Sequence, residues 1–299
     1  MHVFVTGATG FIGKAVVQEL LKAGHRVSGL ARSDEGAELL KRLGAEVHRG
    51  SLEDLDSLKS GAAASDGVIH LAFIHDFSDY DGSCRTDRQA IEAIGEAIAG
   101  SNKPLIITSG TLMLPQGRLV NEQDTPDLTN PIAAARGASE EVVLSLVPKG
   151  VRAAIVRLPP TNHGDGDHGF IARLVAIAKE KGVSAYLEGG LNRWPAVHHL
   201  DTARVYRLAL ENNTASGAVF HAVAEESVTI KAIAEAIGEK LSVPVVSKTQ
   251  SEGQEHFGFL AFALLSDNPT SNTQTRVQLG WEPVHPSLVA DLEHGSYFG

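Results

Sequence analysis

His2-Val3-Phe4-Val5-Thr6-Gly7-Ala8-Thr9-Gly10-Phe11-Ile12-Gly13 carries a short apolar run straight into three glycines spaced by three, and a helical pattern follows them. Ala15–Leu21 continues as an amphipathic helix and Arg26–Leu30 reads as the next strand. A lone glycine triplet is a weak signal, but in this context it is the opening of a dinucleotide-binding βαβ unit. One glycine makes the tight strand-to-helix turn, one lets the backbone approach a pyrophosphate without a Cβ in the way, and one allows close packing of helix on strand. The free N–H groups at the helix start then face the anion. An ordinary tight turn would explain the glycines but not the strand and helix on either side of them.

The end of the second strand indicates which dinucleotide is preferred. An NAD-binding unit places an acid there, about 20 residues past the glycines, to accept hydrogen bonds from the ribose hydroxyls. Here the position reads Gly29-Leu30-Ala31-Arg32-Ser33, without an acid. A carboxylate repels a 2′-phosphate, whereas a guanidinium pairs with it bidentately and can lie over the adenine. Arg32 and Ser33 therefore argue for NADP(H). The competing reading makes Arg32 a solvated charge and gives the ribose to Asp34 or Glu35; those acids sit later, as the first turn of the following helix.

Composition narrows the classes. At 299 residues the chain can bury a sizeable core. A net charge of −10 argues against a nucleic-acid partner, since no basic stripe is available to displace counterions from phosphates. The single cysteine, Cys84, excludes an internal disulfide and suits a reducing compartment. No signal-peptide pattern precedes the first strand and no apolar run reaches membrane-spanning length, so a cytoplasmic protein with no membrane partner is expected.

Further along, Val3–Thr6, Arg26–Leu30, Glu46–Arg49, Val68–Ala72, Leu105–Ser109 and Arg152–Leu158 read as strands with helices between most of them. That alternation predicts an α/β fold, a Rossmann-type doubly wound parallel sheet. Helices are expected over Asp87–Ala99, Pro131–Leu146, Phe170–Lys181, Val197–Leu210 and Ile230–Leu241, with an apolar patch at Phe257–Leu265. Residues 1–160 form the expected nucleotide domain, with 197–220 returning to it. Residues 161–196 and 221–299 form a smaller C-terminal substrate-binding region.

Thr6-Gly7-Ala8-Thr9-Gly10-Phe11-Ile12-Gly13, Val68-Ile69-His70-Leu71-Ala72, Ile107-Thr108-Ser109, Val156-Arg157-Leu158-Pro159, Ala196-Val197-His198-His199-Leu200-Asp201 and Leu279-Gly280-Trp281-Glu282-Pro283 occur in the order and approximate spacing of the extended short-chain dehydrogenases/reductases. The chain resembles that family over nearly its whole length. The resemblance implies that Gly7, Thr9, Gly10, Phe11, Ile12 and Gly13 hold the pyrophosphate and that Arg32 and Ser33 hold the 2′-phosphate. It places Ser51 and Leu52 beside the adenine, although the family more often has Asp at the position of Ser51. Leu71, Ala72 and Phe73 would lie along the ribose and pyrophosphate, with Pro159 and Pro160 near the carboxamide. It also suggests a homodimer through the helices at Asp87–Ala99 and Pro131–Leu146.

The departure from the family is at its active site. These enzymes carry a Tyr-x-x-x-Lys pair on the helix after the fifth strand; the lysine lowers the tyrosine pKa and binds ribose, and the tyrosine shuttles the proton. Here Pro131–Glu141 contains neither residue. Aligning Glu140 with the acid that commonly follows the lysine puts Arg136 on the lysine position and Ile132 on the tyrosine position. The family's Ser/Thr falls on Gly110, leaving Thr111 or Ser109 as substitutes. The chain thus resembles the atypical, epimerase/dehydratase-like subgroup.

Histidine is the natural replacement proton donor near neutral pH, and the chain has thirteen. His75 follows the fourth strand in a loop that passes close to the nicotinamide in this fold; His163 lies just after the two prolines. Both could equally be structural or solvated. His163, Asp165, Asp167 and His168 resemble a metal loop but lack the calcium-loop acid and the zinc framework, so no metal is expected. His256, Phe257, Phe259 and Phe262 could line an apolar pocket or belong to the core. Tyr80 and Tyr186 are the tyrosines that could reach a pocket. The expected function is NADP(H)-dependent reduction of a small or medium carbonyl or conjugated-carbonyl substrate. The alternatives are an NADP-dependent epimerase/dehydratase-like enzyme and a non-catalytic NADP(H)-sensing regulator.

Overall fold

Val3, Phe4, Val5 and Thr6 are all fully buried, the pattern of a strand covered on both faces. They form most of β1 (His2–Thr6), and the computed structural model, which describes residues 1–76 and 78–298, builds outward from it. In chain order the elements are α1 (Phe11–Lys22), β2 (Arg26–Ala31), α2 (Asp34–Leu43), β3 (Glu46–Arg49), α3 (Leu55–Ala63), β4 (Gly67–His70), α4 (Tyr80–Ala97), β5 (Pro104–Gly110), α5 (Pro131–Leu146), β6 (Arg152–Leu158), β7 (Thr161–His163) and α6 (Phe170–Lys181). They continue with β8 (Ser184–Leu187), β9 (Arg193–His198), α7 (His199–Glu211), β10 (Val219–His221), β11 (Glu225–Thr229), α8 (Ile230–Leu241), β12 (Val245–Lys248), α9 (Gln250–Phe257), α10 (Leu260–Leu264), α11 (Thr273–Leu279) and α12 (Leu288–His294).

Seven strands make one parallel sheet in the order β10-β6-β5-β4-β1-β2-β3. The doubly wound Rossmann-type fold expected from the alternation is therefore present. The order reverses between β1 and β4, and ligands of such sheets bind in the crevice outside the strand ends at that switch point. Alternate residues face opposite helix layers, as the pleat requires. Val3, Val5, Ile69 and Ile106 pack with α1 and α7, whereas Phe4, Val68, Leu105 and Ile107 pack with α3, α4 and α5.

The smaller region has its own core of Ile171, Leu174, Trp194, Ile233, Leu264 and Leu292. It is built on a three-stranded sheet, β11-β9-β7, and a parallel pair, β12-β8. The segment around α11 departs from the expected 221–299 grouping. Leu279 and Trp281 join the nucleotide-domain core, and the Trp281 indole donates to Asp201 O at 3.1 Å.

Boundaries differ from the sequence reading where side chains cap the backbone. The fourth strand ends at His70 because the Thr6 hydroxyl takes the Leu71 and Ala72 N–H groups, each at 3.2 Å. The fourth helix starts at Tyr80 rather than Asp87 because Asp79 accepts from Gly82 N at 2.9 Å. Val197–Leu210 is a strand end followed by a helix, with His198 Nδ1 accepting from Leu200 N at the junction. Among the described residues no helix is long and apolar enough to cross a membrane.

Candidate active site

The three glycines divide their work in a way the structure makes explicit. Gly7 has φ +66°, and a Cβ there would lie 2.7 Å from Ala72 N, so side chains are excluded by both the turn and the β4 loop. A Cβ on Gly13 would lie 2.0 Å from Gly7 O, which makes it the packing glycine. Gly10 is exposed and would meet only Gly7 O, at 3.3 Å. It also caps α1 without a side-chain hydrogen bond, so the first-turn N–H donors stay available. An open backbone face and a row of orphan donors at the switch point fit a dinucleotide pyrophosphate.

Arg32, just past the end of β2, is exposed. Ser33 caps α2, accepting from Gly36 N at 3.1 Å, and its hydroxyl proton remains free to donate. Asp34 and Glu35 open α2, and Asp34 is ion-paired with Arg49, a residue the strand-end reading did not consider. Ser51 is half-buried in the loop after β3, and Leu52 packs with Leu30 and Leu58 in the core beneath it.

The opposite end is organised by a buried polar network. Asp87, on α4 and 1% exposed, accepts from Arg136 Nη1, from Ser139 Oγ at 2.7 Å and from His70 Nε2 at 3.3 Å. His70 Nδ1 lies 2.9 Å from Thr6 Oγ1, so the chain of partners reaches the glycine turn. Arg136 Nη2 donates to Thr108 O at 2.6 Å, and its guanidinium lies 4.4 Å from the centre of the Phe73 ring. Burial alone would raise the Asp87 pKa; Arg136, His70 and Ser139 hold it below the ordinary carboxylate value. Arg136 is thus anchored by an acid 49 positions earlier in the chain, while Ile132, one turn before it on α5, is 40% exposed.

The two hydroxyl candidates separate. Thr111 is fully buried and donates to Asn268 Oδ1 at 2.7 Å, with Asn268 Nδ2 returning to Thr111 O at 2.9 Å. Its proton is committed to tying the C-terminal region down. Ser109 Oγ is buried with no hydrogen-bond partner, at the end of β5 and on the α4–α5 face of the sheet. Pro159 is buried and half-buried Pro160 follows it; Asn162 Nδ2 binds Pro159 O at 3.1 Å. Leu71 and Ala72 are half-buried where the Gly7 turn meets the β4 loop. Half-buried Thr9 lies against the α2 start, its methyl group 3.3 Å from where a Gly36 Cβ would stand.

The histidines separate as well. His75 is exposed, its ring 5.3 Å from that of Phe73, and its pKa is lowered first by desolvation and then by the Arg136 charge. His163 is fully buried, with Nδ1 2.8 Å from Asp291 Oδ2 and Nε2 without a hydrogen-bond partner. Phe11 stacks on His199 at 4.6 Å, and His199 on His198, whose pKa burial and the neighbouring histidines lower to about 4. Tyr80 is raised by desolvation and by Cys84, so its phenol holds its proton firmly. Tyr186 sits on β8 beneath Lys231. The acids of the 165–167 loop are occupied by the C-terminal segment: Asp165 accepts from Ser296 Oγ at 2.6 Å and Asp167 from Tyr297 OH at 2.8 Å. His256 and Phe257 are buried, whereas Phe259 and Phe262 are 48% and 60% exposed.

Comparison with known proteins finds relatives of the chain and of its fold. The model of the NAD dependent epimerase/dehydratase family matches residues 3–222. An uncharacterized protein of Schizosaccharomyces pombe is 51% identical over 300 residues, covering 100% of both chains. A 4-hydroxy-2-methyl-3-oxo-4-farnesyl-3,4-dihydroquinoline-1-oxide ketoreductase of Stigmatella aurantiaca is 27% identical over 218 residues, 71% of this chain and 65% of that one. Among solved structures, the UDP-glucose 4-epimerase of Thermotoga maritima shares the fold with a TM-score of 0.76 at 20% identity, covering 98% of this chain and 96% of that one.

Proposed function

The chain belongs to the NAD dependent epimerase/dehydratase family, and we propose that within it the protein is an NADP(H)-dependent reductase of small or medium carbonyl or conjugated-carbonyl compounds. The observation that carries this reading is the unpartnered Ser109 hydroxyl, next in the chain to the Thr108 carbonyl that Arg136 binds, with Ile132 where the family resemblance would place a proton-shuttling phenol. Epimerisation through transient oxidation must begin by removing a proton from an alcohol, which needs a positioned base. Reduction needs no such base to start. It requires a donor for the oxyanion that develops on the substrate, and Ser109 Oγ–H can supply one in a site shielded from water. The bound nicotinamide supplies the hydride.

The residues then have separate tasks. The first-turn N–H groups of α1 bind the pyrophosphate, and Arg32 with Ser33 binds the 2′-phosphate. Phe73 covers the Arg136 guanidinium and excludes water from it. His75, whose ring meets that of Phe73 edge-on at 5.3 Å, delivers the proton directly or through water. The ketoreductase relative supports the direction of the reaction.

NADPH absorbance followed with a panel of aldehydes, ketones and enones tests the reading. Turnover that falls about 100-fold or more in Ser109→Ala, with NADPH affinity unchanged, is expected for loss of an oxyanion donor. NADPH binding without turnover of any panel member, or an unaffected Ser109→Ala enzyme, would overturn it.

A further inference from the structure

Sheet register brings a second arginine to the end of β2. Ala31 pairs with Arg49 across the β2–β3 ladder, so Arg49, the last residue of β3, stands beside the turn that begins with Arg32. Its Nη1 donates to Ser33 O at 2.5 Å and its Nη2 is paired with the Asp34 carboxylate. Arg32 itself has neither a hydrogen bond nor an ion pair among the described residues. Residues 32–35 alone set one cation against two acids, a turn that would repel a phosphate monoester. Arg49 restores the balance. Its guanidinium carries five N–H donors and uses two of them here, leaving three for an incoming anion.

We infer that Arg49 is a specificity-determining residue for the cofactor: it neutralises Asp34, fixes the Ser33 carbonyl and offers a second guanidinium to the ribose 2′-phosphate. This inference rests on the NADP(H) reading above. Arg32 binds the phosphate from the strand end, and Arg49 both removes the opposing charge and completes a two-arginine clamp around a dianion. Nothing in the immediate sequence of the second strand marks Arg49; the parallel pairing of β3 on β2 does.

Calorimetric titration with 2′,5′-ADP and 5′-AMP isolates the 2′-phosphate without turnover. The wild type is expected to favour 2′,5′-ADP. Arg49→Ala should lose about tenfold or more of its 2′,5′-ADP affinity, the value of a charged hydrogen bond, and keep its affinity for 5′-AMP. Adding Asp34→Ala to that variant should restore part of the loss. Arg49 is exposed, so the variants test recognition rather than folding. A 2′,5′-ADP preference abolished by Arg32→Ala and untouched by Arg49→Ala would overturn the inference and leave the NADP(H) reading standing. A wild type with no preference would overturn both, and equal losses for the two ligands would make Arg49 merely structural.

Discussion

Asp87→Ala should destabilise the protein by about 3–5 kcal/mol, the range for removing one partner of a buried ion pair. The structure shows why the upper part of that range is reasonable. Asp87 is 1% exposed and the Arg136 side chain 10%, so the guanidinium left behind has little water to turn to. Its remaining hydrogen bonds are to Thr108 O at 2.6 Å and a long one to Ser139 Oγ at 3.5 Å, and the same substitution strips Ser139 Oγ and His70 Nε2 of their acceptor. Ser139→Ala removes a single donor from the same carboxylate and should cost about 1 kcal/mol. Urea titrations followed by tryptophan fluorescence measure both, with Trp281 reporting the nucleotide-domain core and Trp194 the smaller region. The loss should appear in the Trp281 signal with an unchanged m-value. It should also persist from pH 8 to pH 5, because a carboxyl held below its ordinary value keeps its stabilising charge until the pH falls below about 4. An Asp87→Ala variant within about 1 kcal/mol of wild type would refute the account of Arg136 as a cation fixed by that acid.

Two further outcomes are expected. His221 is fully buried, donating Nδ1–H to Ser271 O, and burial and Arg157 lower its pKa to about 3. The unfolded chain therefore takes up a proton that the folded one refuses, so stability falls as pH drops below about 6.5 and the loss at pH 5 is about 2 kcal/mol. His221→Asn keeps a donor for Ser271 and should flatten that slope in urea titrations at pH 7.5 and pH 5; an unchanged slope would refute the assignment. Gly10→Ala should fold normally and lose NADPH binding, whereas Gly13→Ala should lose stability as its Cβ meets Gly7 O, as read by thermal unfolding and cofactor titration.

The main sheet was legible because its strands are buried on both faces and read as unbroken apolar runs between helical patterns. The glycine turn between β1 and α1 was legible because its glycines are forced by local sterics. What escaped the reading depends on long-range contacts. No local pattern near Asp87 says that Arg136, 49 positions later, closes on it. Ser109 and Thr111 are two residues apart and chemically alike, and only the distant Asn268 distinguishes them by taking one proton. His163 drew notice because it lies just after the two prolines; the distant Asp291 of α12, which pairs with its Nδ1, carries no local signal. The helical start at Tyr80 was missed because its first turns are polar and contain Gly82, so the helix depends on its Asp79 cap rather than on an apolar stripe.

Fixing the cation at Arg136 changes what can control the reaction's pH dependence. In a tyrosine–lysine site the phenol titrates and sets the profile. Here Ile132 has nothing to titrate and the Tyr80 phenol is raised rather than lowered, so His75, its ring 5.3 Å from that of Phe73, is the group to test. Its pKa is lowered, so the ring is mostly neutral at pH 7 and gains its proton only as the pH falls below 6.5. If imidazolium is the proton source, kcat/KM for carbonyl reduction should climb as the pH is lowered through that depressed value and level off below it. His75→Gln should keep the residual rate through water and lose the climb. The comparison separates roles that a single rate cannot: a His75 that only packs against Phe73 would lower kcat/KM by the same factor at every pH. A profile of unchanged shape in the variant would remove His75 from the proton path and leave water at Ser109 as the donor.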